Sequence, residues 1–252
     1  MSPPLSIDYL GHSSLVVELD GIRLLTDPAV RERIGLLRRT VPEPATRMLE
    51  GIDLVLVSHL HWDHLDLPSL RRVGRAARIV VPAGAGAWLR SHGFDDVVEA
   101  EAGRVITAGG LSIEPVAARH GGKRPPLGPT TRALGYVVRG SRSIWFAGDT
   151  DLYPAMAALR GSVDVALLPV WGWGPMLGRG LHLDPARATA AARLVDARTA
   201  IPIHWGTYWP KGMGRVRPGR LVDPPREFIR LSALVPGLKV AAAEVGASVV
   251  LP

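Results

Sequence analysis

Four residues within six, His59, His61, Asp63 and His64 of "SHLHWDHLD", carry the densest chemistry in a chain that has only eight histidines in 252 residues. They follow the apolar run "IDLVLV". At a strand end or in an extended turn, residues i and i+2 point the same way, so His59 and His61 can reach one metal ion. Asp63 and His64 are adjacent and cannot both point with that pair; they suit a second ion a few ångströms away. Two such ions can share an activated water and stabilise a leaving oxygen. One short motif holds too few donors for this, and three more stand where apolar strands end: His120 after "LSIEPVAAR", Asp149 in "SIWFAGD" and His204 in "TAIPIH". A polar residue in that position lies at the sheet edge where α/β proteins bind ligands. A lone histidine there is most simply a packing residue, but five histidines and two aspartates in equivalent positions are what a two-metal site requires.

The elements that must position these donors are mostly strands. Short runs rich in valine, isoleucine and leucine read as strands at Ser6–Leu10, Leu15–Leu19, Ile22–Thr26, Leu54–Ser58, Arg78–Val81, Leu111–Val116, Ala133–Val138, Ser143–Ala147, Val163–Pro169, Ala200–Ile203, Lys239–Ala242 and Ser248–Leu251. Asp20-Gly21 predicts a hairpin turn. Helical patterns fall at Pro68–Arg75, Gly86–His92, Tyr153–Arg160, Pro185–Asp196 and Pro224–Leu234, with Asp184-Pro185 as a helix start. Many strands followed by alternating strands and helices predict an α/β fold of two sheets with helices outside, in one domain over 1–252. The irregular stretches Val30–Arg47, Gly121–Thr131, Trp171–Leu183 and Trp205–Leu221 are where substrate contacts are expected.

Hydrophobic residues make up 47% of the chain, enough for a sizeable core, and the absence of cysteine excludes disulfides and thiolate ligands. The net charge of +7 rests almost wholly on arginines spread along the sequence, which reads as a solvated surface rather than a nucleic-acid groove. No apolar run approaches the roughly 18 residues of a membrane span, and no basic segment leads into a long apolar one near Met1. A cytoplasmic protein acting on a small molecule, without nucleic acid or a membrane span, is the expectation.

The motif His59–His64, the later His120, "AGDT" (Ala147–Thr150) and "PIHWGT" (Pro202–Thr207) resemble the metallo-β-lactamase superfamily. "YLGHSSLVVELDGIRLLTDP" (Tyr9–Pro28), "HGGKR" (His120–Arg124), "WFAGDTDLYP" (Trp145–Pro154), "HLDP" (His182–Pro185), "IHWGTY" (Ile203–Tyr208) and "DPPREF" (Asp223–Phe228) narrow the resemblance to the branch containing N-acyl-phosphatidylethanolamine phospholipase D and ascorbate-6-phosphate lactonase. The resemblance implies a four-layer αββα sandwich with a site along one edge. It implies that His59, His61 and His120 bind one metal ion, that Asp63, His64 and His204 bind a second, and that Asp149 bridges them. Asp27 would support the ligand histidines. Two divalent ions are expected, zinc first, with manganese or iron as competitors. The implied activity is metal-dependent hydrolysis of an ester, a lactone or a phosphodiester, with Asp63 relaying a proton. A nuclease or cyclic-nucleotide phosphodiesterase of the same superfamily, and a metal-binding module without turnover, are the competing readings.

His182 could orient substrate or donate a proton, or simply belong to the start of the Pro185 helix. His12 reads as a packing or supporting residue, and His92 as a partner of a helix end. Trp62, Trp171, Trp173, Trp205 and Tyr208 flank the candidate loops and predict an apolar wall of a substrate pocket. Arg124 could meet an anionic group there.

Overall fold

In a computed structural model, residues 4–172, 180–211, 219 and 222–251 are described. The first part of the chain forms β1 (Leu5–Gly11), β2 (Ser14–Leu19), β3 (Ile22–Thr26), β4 (Arg33–Ile34), β5 (Leu37–Arg39), β6 (Leu54–Leu56), α1 (Leu67–Val73), β7 (Arg78–Pro82), α2 (Gly86–Ser91) and β8 (Val97–Ala100). There follow β9 (Ile106–Ala108), β10 (Leu111–Ala117), β11 (Leu134–Arg139), β12 (Ser143–Phe146) and β13 (Val165–Pro169). The chain closes with α3 (Pro185–Val195), β14 (Thr199–Ile203), β15 (Tyr208–Pro210), α4 (Asp223–Ser232), β16 (Lys239–Val240) and β17 (Ser248–Leu251).

Two seven-stranded sheets result, ordered β17-β1-β2-β3-β6-β7-β8 and β16-β14-β13-β12-β11-β10-β9. Each is half antiparallel and half parallel: β3, β6, β7 and β8 pair in parallel, as do β12, β13, β14 and β16. Side chains alternate across a strand, and the burial follows. Leu15 and Val17 of β2 point between the sheets to join Ile113, Tyr136 and Phe146 of the opposite sheet. Val16, one residue out of phase, points outward with Val55 and Val81 against Leu70 of α1 and Leu89 of α2. The other outer face carries Val137, Trp145 and Leu168 against the alanine stripe Ala188, Ala191 and Ala192 of α3 and against Phe228 of α4. The layers are therefore helix, sheet, sheet, helix. Among the described residues no helix is long and apolar enough to cross a membrane.

Asp184 accepts a hydrogen bond from the Arg187 N–H and caps α3, with Pro185 at its first turn. The stretch expected as a helix at Tyr153–Arg160 is instead a 3-10 helix, Pro154–Leu159. Its bonds at both ends span three residues, from the Met156 N–H to the Tyr153 carbonyl and from the Arg160 N–H to the Ala157 carbonyl, the spacing of the tighter turn. Two polar links tie the sheets together just behind the histidine motif. The Tyr136 hydroxyl donates to the Val57 carbonyl at 2.7 Å, and the Leu134 N–H donates to the Ser58 carbonyl. Tyr136→Phe should lower unfolding free energy by about 1 kcal/mol, read as a shifted denaturant midpoint at constant m. An unshifted midpoint would mean that this bond contributes nothing net.

Candidate metal centre

The parallel halves of both sheets send their carboxyl ends to one edge. Asp27 follows β3, His59 and His61 follow β6, Asp149 follows β12 and His204 follows β14, while His120 follows the antiparallel β10. Gly148 makes the approach possible: its φ is +59°, and a Cβ there would lie 2.6 Å from Ser58 Cβ. Only glycine lets the β12 end press against the β6 end, which sets Asp149 beside the histidine motif.

His59, His61 and His120 form one donor group. His61 Nδ1 lies 2.9 Å from His59 Nε2 and 3.2 Å from His120 Nε2. The far nitrogens are held by neighbours. His120 Nδ1 donates to the Leu181 carbonyl. Ser58 Oγ gives its proton to Asp27, so it accepts from His59 Nδ1. Both rings thus carry their proton on Nδ1 and turn the Nε2 lone pair inward.

The second group holds Asp63, His64 and His204, and it includes His12. His204 Nδ1 donates to the Trp171 carbonyl at 2.6 Å, and His64 Nδ1 donates to Asp27 at 2.7 Å. Asp149 stands between the groups. Its Oδ2 is 3.2 Å from His64 Nε2, 3.3 Å from His204 Nε2, 3.0 Å from His182 Nε2 and 3.9 Å from His120 Nε2. Asp27 is fully buried and accepts from the Ser58 N–H, the Ser58 hydroxyl and His64. It therefore orients His64 and, through Ser58, His59. Asp27→Asn should weaken metal binding by about 10–100-fold, the usual effect of losing such a partner. Competition against a chromophoric chelator measures this, and unchanged affinity would reject the supporting role.

The donor set fits divalent metal. Among the described residues Asp149 Oδ1 is buried and has no hydrogen-bond partner, a costly arrangement unless a cation takes its lone pair. The electrostatics agree. Burial holds His59 well below the ordinary histidine pKa, lowers His61, and brings His120 down to about 4. These rings stay neutral, the state in which imidazole binds metal. Burial also works against charge on His64, yet the carboxylates of Asp149, Asp63 and Asp27 outweigh it and hold its pKa well above the ordinary value. Burial pushes Asp149 and Asp63 up, but the surrounding imidazoles outweigh it and keep both ionised: His204, His64 and His182 for Asp149, His64 and His12 for Asp63.

Other expected site residues fall in three places. His182 lies in the site against Asp149, and its Nδ1 is buried without a hydrogen bond among the described residues. Trp62 stays on the surface over Gly35, its indole N–H donating to the Pro125 carbonyl. Trp171 stacks on Trp209, 5.2 Å between centroids. Three residues depart from the expected pocket role. Arg124 turns inward, donates to the Leu60 and Leu65 carbonyls and lies over Trp88, so it braces the metal motif from behind. Trp205 packs into the core between sheet and helix, its indole N–H donating to the Pro202 carbonyl. Tyr208 is buried with its hydroxyl bonded to the Ala29 and Arg31 carbonyls. Trp173 lies outside the described residues. His92 sits at the end of α2 and donates from Nδ1 to the Trp88 carbonyl, as expected of a helix-end histidine.

His12, expected as a packing or supporting residue, lies with the second donor group, its Nε2 3.2 Å from Asp63 Oδ2. Its only signal was its place in "GHSS", a turn after a strand that ends at the same edge.

This fold and this donor cluster define a metal-dependent hydrolase of the metallo-β-lactamase type. A family model described as a beta-lactamase superfamily domain matches residues 22–205, and the chain belongs to that family. It is 33% identical over 214 residues to a UPF0173 metal-dependent hydrolase of Methanopyrus kandleri, covering 81% of this chain and 85% of that protein. It is 29% identical over 225 residues to N-acyl-phosphatidylethanolamine-hydrolyzing phospholipase D 1 of Caenorhabditis elegans, covering 79% of this chain and 63% of that protein. Among solved structures, Igni18, a metallo hydrolase from Ignicoccus hospitalis, superposes with a TM-score of 0.77 at 25% identity over 99% of both chains.

Proposed function

We propose that the enzyme hydrolyses an ester, lactone or phosphodiester bearing an apolar group, with two divalent ions, zinc foremost, held along its sheet edge. The observation that carries this is the meeting of two imidazole-rich donor groups at one buried carboxylate, Asp149. In this reading His59, His61 and His120 hold the first ion. Asp63, His64 and His204 hold the second, and Asp149 is shared. Bound together, the ions supply an acidified water and a polarised substrate oxygen. The chain's own residues do the rest. Asp63, kept ionised by its neighbours, can accept a proton at its carboxylate and pass it to the leaving oxygen. His182 orients Asp149 through its Nε2.

Two observations support an apolar substituent and a phosphodiester arm. Among the described residues, Leu36 (84% exposed), Trp62 (40%), Leu127 (96%) and Leu181 (43%) lie on the loops that border the cluster. Leu36 follows the glycine beneath Trp62, and Leu127 belongs to the loop that Trp62 anchors at Pro125. Such a rim favours apolar contact at the mouth of a polar site. The similarity to a phospholipase D adds the phosphodiester.

The test is hydrolysis of a chromogenic phosphodiester, a chromogenic acyl ester and a lactone by chelator-stripped enzyme reloaded with zinc or manganese. His59→Ala and Asp63→Ala serve as controls. Metal-restored turnover of any one substrate, lost in both variants, supports the proposal. Turnover of none of them by enzyme carrying two ions would favour the metal-binding module, and near-normal turnover by Asp63→Ala would remove its proton-relay role.

A further inference from the structure

We propose that His12 is a positioning residue that fixes the Asp63 carboxylate by a hydrogen bond from its Nε2–H and thereby sets the affinity of the second metal ion. The proposal rests on the two-ion reading above and adds a residue to it. His12 Nε2 lies 3.2 Å from Asp63 Oδ2. The same oxygen lies 3.9 Å from His64 Nε2, so a hydrogen bond to it fixes the rotation of the carboxylate with that oxygen turned toward the donor group.

The protein spends several features on presenting this ring. His12 sits at φ +57° in the turn between β1 and β2, a left-handed conformation that few non-glycine residues adopt. Its N–H donates to Thr207 Oγ1 at 2.7 Å, and its carbonyl accepts from the His204 N–H at 2.8 Å. Gly11 before it has φ +109°, and a Cβ there would lie 2.8 Å from the Thr207 methyl. The "GHSS" turn and the "HWGT" segment therefore interlock, and the lock is built around His12. The ring is buried, 3.9 Å from His204 and 5.2 Å from His64 between centroids, with Tyr208 edge-on at 5.5 Å. A histidine needed only for packing would not require its backbone to be clamped at both polar groups with the ring nitrogen aimed at a carboxylate.

The test is titration of the chelator-stripped enzyme with cobalt(II), following both binding steps by absorbance, for the wild type, His12→Gln and His12→Phe. Glutamine keeps an N–H near the Nε2 position; phenylalanine keeps a ring without a donor. Phenylalanine should leave the first step unchanged and weaken the second by about 10–100-fold, whereas glutamine should stay within about threefold of the wild type. Unchanged second-step affinity in His12→Phe overturns the proposal. So does an equal loss in both variants, which would assign the effect to ring packing. Nitrogen-15 NMR of the wild-type ring gives a readout independent of how the variants fold: an Nε2–H tautomer is expected, and Nδ1–H defeats the proposal. A wild type that binds one ion would instead defeat the two-ion reading and the proposal with it.

Discussion

Asp149→Ala is expected to reduce metal content from two ions to at most one and to abolish hydrolysis. The carboxylate stands between the donor clusters, with Oδ2 at 3.2 and 3.3 Å from His64 and His204, 3.9 Å from His120 and 3.0 Å from His182. Loss of a supporting hydrogen bond costs a metal site about 10–100-fold; loss of a shared ligand should exceed that at both sites. The metal-free protein changes too. Asp149 is the largest source of the positive shift on His64 after the opposing effect of burial. Without it, the His64 proton becomes harder to hold in a buried site, so its pKa should fall. Metal analysis by mass spectrometry and a His64-resolved NMR titration check these outcomes. Two tightly bound ions in the alanine variant would show that Asp149 does not bridge.

Acidification is expected to empty the second site before the first. The sign follows from opposite shifts. Metal needs a neutral imidazole, and in the metal-free enzyme His64 is held protonated to well above the ordinary histidine range. Below that folded-state pKa, each ion bound at the second site must displace a proton, so each unit of falling pH costs about tenfold in affinity, or about 1.4 kcal/mol. The first site runs the other way. His59 is held well below its ordinary pKa and His120 at about 4. His61 is lowered as well, so these rings resist protonation through mildly acidic conditions, and the first ion's affinity should fall far less with pH than the second's. Equilibrium dialysis across this range should therefore pass through a one-ion plateau. Two ions leaving together, or the first leaving earlier, would contradict the assignment of donors to sites.

The convergence of His59, His61, Asp63, His64, His120, Asp149 and His204 was legible because each directly follows an apolar strand or belongs to the motif that does. Strand ends are a local signal, and parallel pairing does the rest. Other features depend on partners far away in sequence. The small sheet β15-β5-β4 pairs Tyr208 with Arg39, and no periodicity in "RI" or "LRR" announces it. His12 acquires its place through Thr207, 195 residues on. Trp205 and Tyr208 looked like pocket walls because they follow a ligand, but the side to which a loop side chain turns is decided by packing. The orientation of Arg124 is equally non-local: its guanidinium donates to two backbone carbonyls of the metal motif, some sixty residues earlier in the chain.

Three site residues share a backbone state. His12, Asp27 and His204 all have positive φ, at 57°, 31° and 60°. A non-glycine residue held so costs on the order of 1–3 kcal/mol, so the edge that could bind metal is a local deficit within the fold. The consequence is a trade-off for anyone engineering the protein. Glycine at these positions would relax the backbone but strip the buried bonds that Asp27 makes to Ser58 and His64, so gains in durability must come from elsewhere, such as helix surfaces and distant loops.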